Sequence, residues 1–277
     1  MAKSATATPW QLTLYGKSLK KRETVQAVLR FLPDVSGKRC LEIGCATGVT
    51  SYLLRQRGGE WSSVDFEKDH VNSALRLVGD NVFLIGEDSL PFDDGRFDVV
   101  VGINFLEHIE DDDRFISEMA RVLKPGGELV FTSPTGETNR LGYLFKRAYG
   151  FTAASKGFGH ARDGYTPPVL RAKFARAGLQ IERVDTYSRF FAEVVEDTLN
   201  FAYHKQAKNG GGAESPADDF HGTTSPMSGE AFRKVGLSFR LYSLAFPAIR
   251  AVTMLDRLIP SSPGYMLVAR AVKATAD

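Results

Sequence analysis

The sequence predicts an α/β fold: a doubly wound, mostly parallel seven-stranded sheet with a helical insertion between its last two strands. Three observations predict it. Short apolar runs of strand length alternate with amphipathic segments of helix length from residue 39 to about residue 133. The run Phe97–Val101 is apolar almost throughout, as a strand covered on both faces has to be. The first strand, Arg39–Ile43, runs straight into a glycine turn, Gly44-Cys-Ala-Thr-Gly48, from which a helix starts.

Taken in order, Ser18–Leu32 spaces Val25, Val28, Leu29 and Leu32 as a helix does, with Lys17, Lys20, Lys21 and Arg22 at its start. This N-terminal extension, residues 1–36, is read as a helical cap; its basic start is first of all a solvated helix face, and in the sharper alternative the helix covers the cleft and a lysine touches substrate. After strand one come a helix over Val49–Arg57, strand two over Glu60–Val64 ending at Asp65, and a helix over Lys68–Leu77. Strand three is Val82–Ile85 and strand four Phe97–Val101. The next helix, Asp112–Leu123, opens on Glu110-Asp-Asp-Asp113, acids that the helix dipole favours without any metal. Lys124-Pro-Gly-Gly127 is expected to end it before strand five, Glu128–Ser133. Thr166-Pro-Pro caps a helix to about Ala177, Leu179–Tyr187 is strand six, and Tyr265–Val272 is the last strand. The expected organisation is a core over 37–190, a helical insertion with a flexible glycine-rich run over 191–263, and a last strand with its tail over 264–277.

Composition bounds the function. The chain has 277 residues, 43% hydrophobic and 25% charged, with a net charge of +2, so charge alone asks for no polyanionic partner and nucleic acid is not expected. Its start, Met1-Ala-Lys-Ser-Ala-Thr, has no apolar stretch of leader length, and no charge-free run reaches membrane-spanning length; a cytoplasmic protein is expected. Its two cysteines, Cys40 and Cys45, flank one short strand without metal-ligand company and are expected to be reduced packing residues. Within 231–259, Arg233, Lys234, Arg240, Arg250 and Arg257 face Asp256 alone in a strongly apolar segment. That composition suits a helical cap, a homodimer face or a peripheral membrane contact.

The glycine turn lacks the dinucleotide pattern: Ala46 stands at the middle glycine and Gly48 comes one position early. With the segments downstream the match is different. Leu41-Glu-Ile-Gly-Cys-Ala-Thr-Gly48, Val64-Asp-Phe66, the run Gly86–Val100, Leu106-Glu-His-Ile109 and Arg121-Val-Leu-Lys-Pro-Gly-Gly127 resemble, in order, the motifs of class I S-adenosylmethionine-dependent methyltransferases. The resemblance covers residues 37–135, and Thr166–Thr186 more loosely. It implies the Rossmann-like methyltransferase fold and S-adenosyl-L-methionine as cofactor. Gly44, Ala46 and Gly48 are then expected at the methionine part, with Glu42 and Asn104 near its amine. Asp65, roughly 20 residues past the first glycine, suits the ribose hydroxyls, and Phe66 the adenine face. Asp88, beside Ser89, is expected to accept from the adenine amino group, with Glu87 as its competitor.

The expected chemistry is in-line methyl transfer to oxygen of a small or lipid-like acceptor, which the aromatic-rich segment Tyr143–Phe158 favours. Two readings stay beside it: a protein or other macromolecular acceptor, and a cofactor-binding partner protein without catalysis. His108 and His160 are the candidate bases, since imidazole titrates near neutrality. Arg162 and Tyr165 are expected to help with substrate, and His70 to have no constellation around it. No metal is expected.

Overall fold

The structure is a computed structural model; it describes residues 8–86, 89–148, 161–198 and 236–275, without the side chains of Lys146 and of 236–239. A seven-stranded sheet runs in the order β3-β2-β1-β4-β5-β7-β6. Its strands are β1 Arg39–Ile43, β2 Glu60–Asp65, β3 Val82–Leu84, β4 Phe97–Ile103, β5 Leu123–Pro134, β6 Leu179–Tyr187 and β7 Met266–Lys273. Pairing is parallel from β3 through β5, and β7 lies antiparallel between β5 and β6.

Alternation along the strands divides the core. On one face Leu41, Val100, Leu129 and Phe131 pack with Phe115, Ile116 and Met119 of α5 (Asp112–Val122) and with Leu170 and Phe174 of α7 (Pro167–Arg176). On the other, Cys40, Val99, Val101, Val130 and Val268 pack with Val28 and Phe31 of α2 (Leu19–Phe31) and Leu54 of α3 (Val49–Arg55). The helix expected to cap the cleft is therefore also a core element. Ser18 caps it, its Oγ accepting from the Lys21 N–H at 3.3 Å. A short α1 (Trp10–Tyr15) precedes it, and α4 (Lys68–Val78) packs beside α3.

Elements differ from expectation mainly at their ends. Lys124-Pro-Gly-Gly127 does not separate helix from strand: β5 begins at Leu123, directly after α5. The extra residues are absorbed by a register shift against β4, where Phe97 pairs Leu123 but Val99 pairs Glu128. Gly127 is required there, since a Cβ would stand 2.8 Å from the Lys124 carbonyl oxygen. Thr166 occupies the N-cap position of α7 but makes no side-chain cap bond. Helix α6 (Leu141–Ala148) follows β5. Between β6 and β7 the described insertion comprises α8 (190–198), α9 (Gly236–Thr253) and a 3-10 turn, Met254–Leu258. The glycine-rich run Lys208–Pro216 lies outside the described residues.

Candidate active site

The turn after β1 is held by its backbone. Gly44, Ala46 and Gly48 have φ of +84°, +45° and +85°. Glycine is needed at two of these for space as well. A Cβ on Gly44 would stand 2.7 Å from the Ile103 carbonyl oxygen, and one on Gly48 2.6 Å from Ala74 Cα in α4. Gly48 thus sets the close approach of α3 to α4 and does not line the cavity described below.

Asp65, at the end of β2, closes the turn. Its Oδ2 accepts from the Ala46 N–H at 2.8 Å and its Oδ1 from the Glu67 N–H at 3.1 Å. His70 Nδ1 lies 2.9 Å from the same Oδ1, and both side chains are buried. His70 therefore does have a constellation: it is the partner that orients Asp65. Five residues separate them, about one helical turn plus the cap, a spacing that could have flagged the pair. Three of roughly four acceptor positions on the carboxylate are taken by these contacts, leaving one.

A cavity of about 80 Å³ lies at the carboxyl ends of β1 and β4. Gly44, Cys45, Ala46, Thr47, Ile103 and Asn104 form one wall; Lys20, Lys21 and Thr24 of α2 form the other. Lys20 and Lys21 thus line a cavity, whereas the sequence reads this basic run first as a solvated helix face. Asn104 has φ +46°, and its Oδ1 accepts from Thr132 Oγ1 at 2.8 Å. A larger groove of about 430 Å³, lined by Arg39, Arg55, Trp61 and Arg96, opens at the amino ends of the strands. Ligands of open α/β sheets bind at the carboxyl ends, and Arg55 is already spent on Ser63 Oγ (2.9 Å) and the Trp61 and Asp80 carbonyls. The smaller cavity is the candidate site.

Other expected residues are placed differently. Glu42 is fully buried in β1 and points away from the cavity: its Oε2 accepts from Ser51 Oγ at 2.5 Å and Ser63 Oγ at 2.7 Å, while Oε1 has no partner. Burial holds its pKa above the ordinary carboxylate value. Phe66 is half-buried against Phe105 and Phe115, at centroid distances of 6.2 and 5.7 Å, so much of its ring is spent on packing. Ser89 is exposed; Glu87, Asp88 and His160 lie outside the described residues. Cys40 and Cys45 are free and buried, and burial pushes the Cys40 thiol up to about 12.

Behind the cavity the 3-10 turn Leu106–His108 carries the group that motif reading passed over. Glu107 is 2% exposed and its Oε2 has no hydrogen-bond partner. Burial pushes it up to about 7, with Lys20 and Arg162 acting in the other direction. Its backbone carbonyl accepts from the Ala161 N–H at 2.9 Å. Two further acids share this region. Burial pushes Glu196 up to about 7 and also raises Glu23; they accept from Tyr265 and Ser188 respectively. Lys20 acts on Glu107 and Glu196 alike. Neither Glu107 nor His108, half-exposed in the same turn, lines the cavity itself.

Arg162 and Tyr165 are structural rather than substrate-facing. Arg162 donates to the carbonyls of Leu106 (2.8 Å), Ile109 (2.5 Å) and Glu110 (2.9 Å). Tyr165, 1% exposed, donates to Asp112 Oδ2 at 2.7 Å. Together they fix the turn that presents Glu107. The acids at the start of α5 are likewise spoken for: Asp111 caps the helix through the Arg114 N–H, and Asp112 also takes Lys173 Nζ at 2.8 Å.

Residues 41–131 match the model of a methyltransferase domain. A ubiquinone biosynthesis O-methyltransferase of Xanthomonas oryzae is 31% identical over 54% of this chain and 66% of its own. A fatty-acid O-methyltransferase of Mycolicibacterium smegmatis is 38% identical over 36% of this chain and 38% of its own. The chain thus spans less than two thirds of the length of either relative. A solved S-adenosylmethionine-dependent methyltransferase from Mesorhizobium loti superposes over 90% of this chain and 96% of its own with a TM-score of 0.52 at 16% identity, which shows the fold. Residues 41–131 thus form a methyltransferase domain, on the fold of the S-adenosylmethionine-dependent methyltransferases. The cavity wall suits the amino-acid end of that family's cofactor. Two ammonium groups and the hydroxyls of Thr24, Thr47 and Thr50 are donors for a carboxylate, and the described space matches that end rather than the whole nucleoside.

Proposed function

We propose that this methyltransferase transfers the methyl group of S-adenosylmethionine to an oxygen of a small, lipid-like acceptor. The observation that carries the reading is the Asp65-clamped glycine turn facing Lys20 of α2 across the cavity, with the same lysine acting on the buried Glu107 carboxylate, whose Oε2 has no partner. Two relatives named as O-methyltransferases, one for fatty acids and one of ubiquinone biosynthesis, support oxygen and an apolar acceptor.

Bound at the turn, the cofactor supplies an electrophilic methyl carbon on a sulfonium. Lys20, Lys21 and the cavity threonines would hold its amino-acid end, and the remaining acceptor position of Asp65 would take a ribose hydroxyl. Helix α2 covers the site and keeps water out. Glu107 takes the proton of the acceptor hydroxyl: R–OH gives its proton to the carboxylate and its oxygen pair to the methyl carbon. Glu107 would be left protonated beside a methyl ether or ester and a neutral thioether as the C–S bond broke. A carboxyl poised near neutrality suits that role better than an exposed one, which would be too weak a base. Calorimetric titration with S-adenosylmethionine and S-adenosylhomocysteine tests the cofactor part. Micromolar binding of both is expected, falling at least tenfold in Asp65→Ala; no binding of either by the folded protein sinks the reading.

A further inference from the structure

The most exposed large apolar side chains of the described residues are not at the site. Leu244 is 79% exposed, Leu258 76% and Leu241 59%. They belong to α9 and the 3-10 turn that continues it. The helix is amphipathic in an unusual sense. Tyr242, Phe246 and Thr253 turn inward: Phe246 and Thr253 are buried, and Tyr242 Oη donates to the Lys17 carbonyl at 2.6 Å. The opposite face carries Leu241, Leu244, Val252 and Leu255, all exposed, at the spacing of one helical stripe. An apolar stripe facing outward along some five turns exceeds what scattered surface leucines explain.

Charge says what covers it. Arg240, Arg250 and Arg257 are exposed along this stretch, and none makes an ion pair among the described residues. The one acid in the stretch, Asp256, is turned inward and accepts from the N–H groups of Phe191 and Ala192 at 2.7 and 3.1 Å. A second copy docked by two-fold symmetry would bring the same guanidinium groups together, with no outward carboxylate among the described residues of α9 and its 3-10 continuation to answer them. An anionic lipid surface answers both features, burying the leucines at the acyl boundary while the arginines reach phosphates. Pro247 within the helix, and its length of 18 residues with Arg240 and Arg250 in it, fit lying on a bilayer; no described helix is long and apolar enough to cross one.

We infer that α9 and its 3-10 continuation dock the protein on an anionic membrane surface, leucines inserted and arginines at the headgroups. This goes beyond the proposed reaction and does not depend on it. The test is co-sedimentation of the full chain with vesicles of phosphatidylcholine alone and of phosphatidylcholine mixed equally with phosphatidylglycerol. Binding to the mixed vesicles that weakens with salt is expected, with little to phosphatidylcholine alone. Leu244→Glu with Leu258→Glu is expected to lower the partition coefficient at least tenfold. Arg240→Gln with Arg250→Gln and Arg257→Gln is expected to do the same through charge alone. Circular dichroism and the cofactor titration serve as folding controls, because these residues touch neither cavity. Failure of wild type to bind mixed vesicles overturns the inference, as does equal binding by both folded variants. A concentration-dependent dimer in sedimentation velocity that Leu244→Glu abolishes assigns the face to a second copy and overturns it too.

Discussion

At the residue scale, Glu107 and Ala46 carry the clearest predictions. Glu107 has its folded pKa raised from 4.5 to about 7, and Glu196 the same. For an acid raised in the folded state, the native protein binds more protons than the unfolded chain between those values. The stability that protonation contributes is therefore fully present below pH 4.5 and is lost as pH rises through about 7. Thermal unfolding is expected at lower temperature at pH 8 than at pH 5.5, and Glu107→Gln should flatten part of that slope, on the order of 2 kcal/mol. The same variant is expected to lose methyl transfer by about a hundredfold or more while keeping cofactor affinity. Wild-type transfer should rise with pH through about 7. A variant that transfers at the wild-type rate would return the base to a histidine.

Ala46 sits at φ +45°, where only glycine is unstrained. Ala46→Gly is expected to keep or improve cofactor affinity and to raise the melting temperature by a degree or so, for about 0.5 kcal/mol of relieved strain. A tenfold loss of affinity would show that the methyl group makes a contact of its own.

The motif residues Gly44, Ala46 and Asp65 were legible in sequence because a tight turn needs particular residue types at fixed spacing. Glu107 was not, and His70 was legible only through its five-residue spacing from Asp65. The burial of Glu107 is supplied by the fold alone, and a lone glutamate beside a turn carries no periodicity to betray it.

At the scale of elements, two arginines hold the loops around the site. Arg121 bonds Glu118 through Nε and Nη2, both at 2.8 Å, and donates to the carbonyls of Leu90 and Phe92. It ties the segment Leu90–Phe92 to α5, which gives physical content to the Arg121–Gly127 motif. Arg162 does the same for the turn Leu106–Glu110. Arg162→Ala is expected to cost about 2–3 kcal/mol, since it strips three carbonyls of a charged donor. It should also blunt the pH response attributed to Glu107, because that turn is then free to let water in. Denaturant unfolding at two pH values reads both; an unchanged midpoint contradicts the assignment.

Element positions were legible wherever apolar period and punctuation agreed, as in α4, α5 and the parallel strands. They failed at Leu123–Gly127, where a proline-glycine run reads as a loop but pairs with β4 through a bulge. The place of β7 between β5 and β6 was not legible either, since hydrophobic alternation gives a strand's faces and not its neighbours.

At the scale of the molecule, the sheet order puts the glycine turn, Asn104 and Glu107 on one carboxyl edge, with α2 folded back over it from the far side of the core. Because α2 packs Val28 and Phe31 into that core, opening the site for a whole cofactor costs apolar burial unless only the start of the helix moves. Bound cofactor is therefore expected to protect the amides of residues 18–24 from hydrogen exchange more than those of residues 27–31, which are protected already.

The most direct test of the central claim is methyl transfer itself. The purified chain is incubated with S-adenosylmethionine labelled at its methyl group and a bacterial extract, and the products are parted into organic-soluble, water-soluble and protein fractions. Label in the organic-soluble fraction, absent with Asp65→Ala and released by base where the product is an ester, is the predicted result. Label confined to protein, or none in any fraction while the cofactor binds, would contradict it.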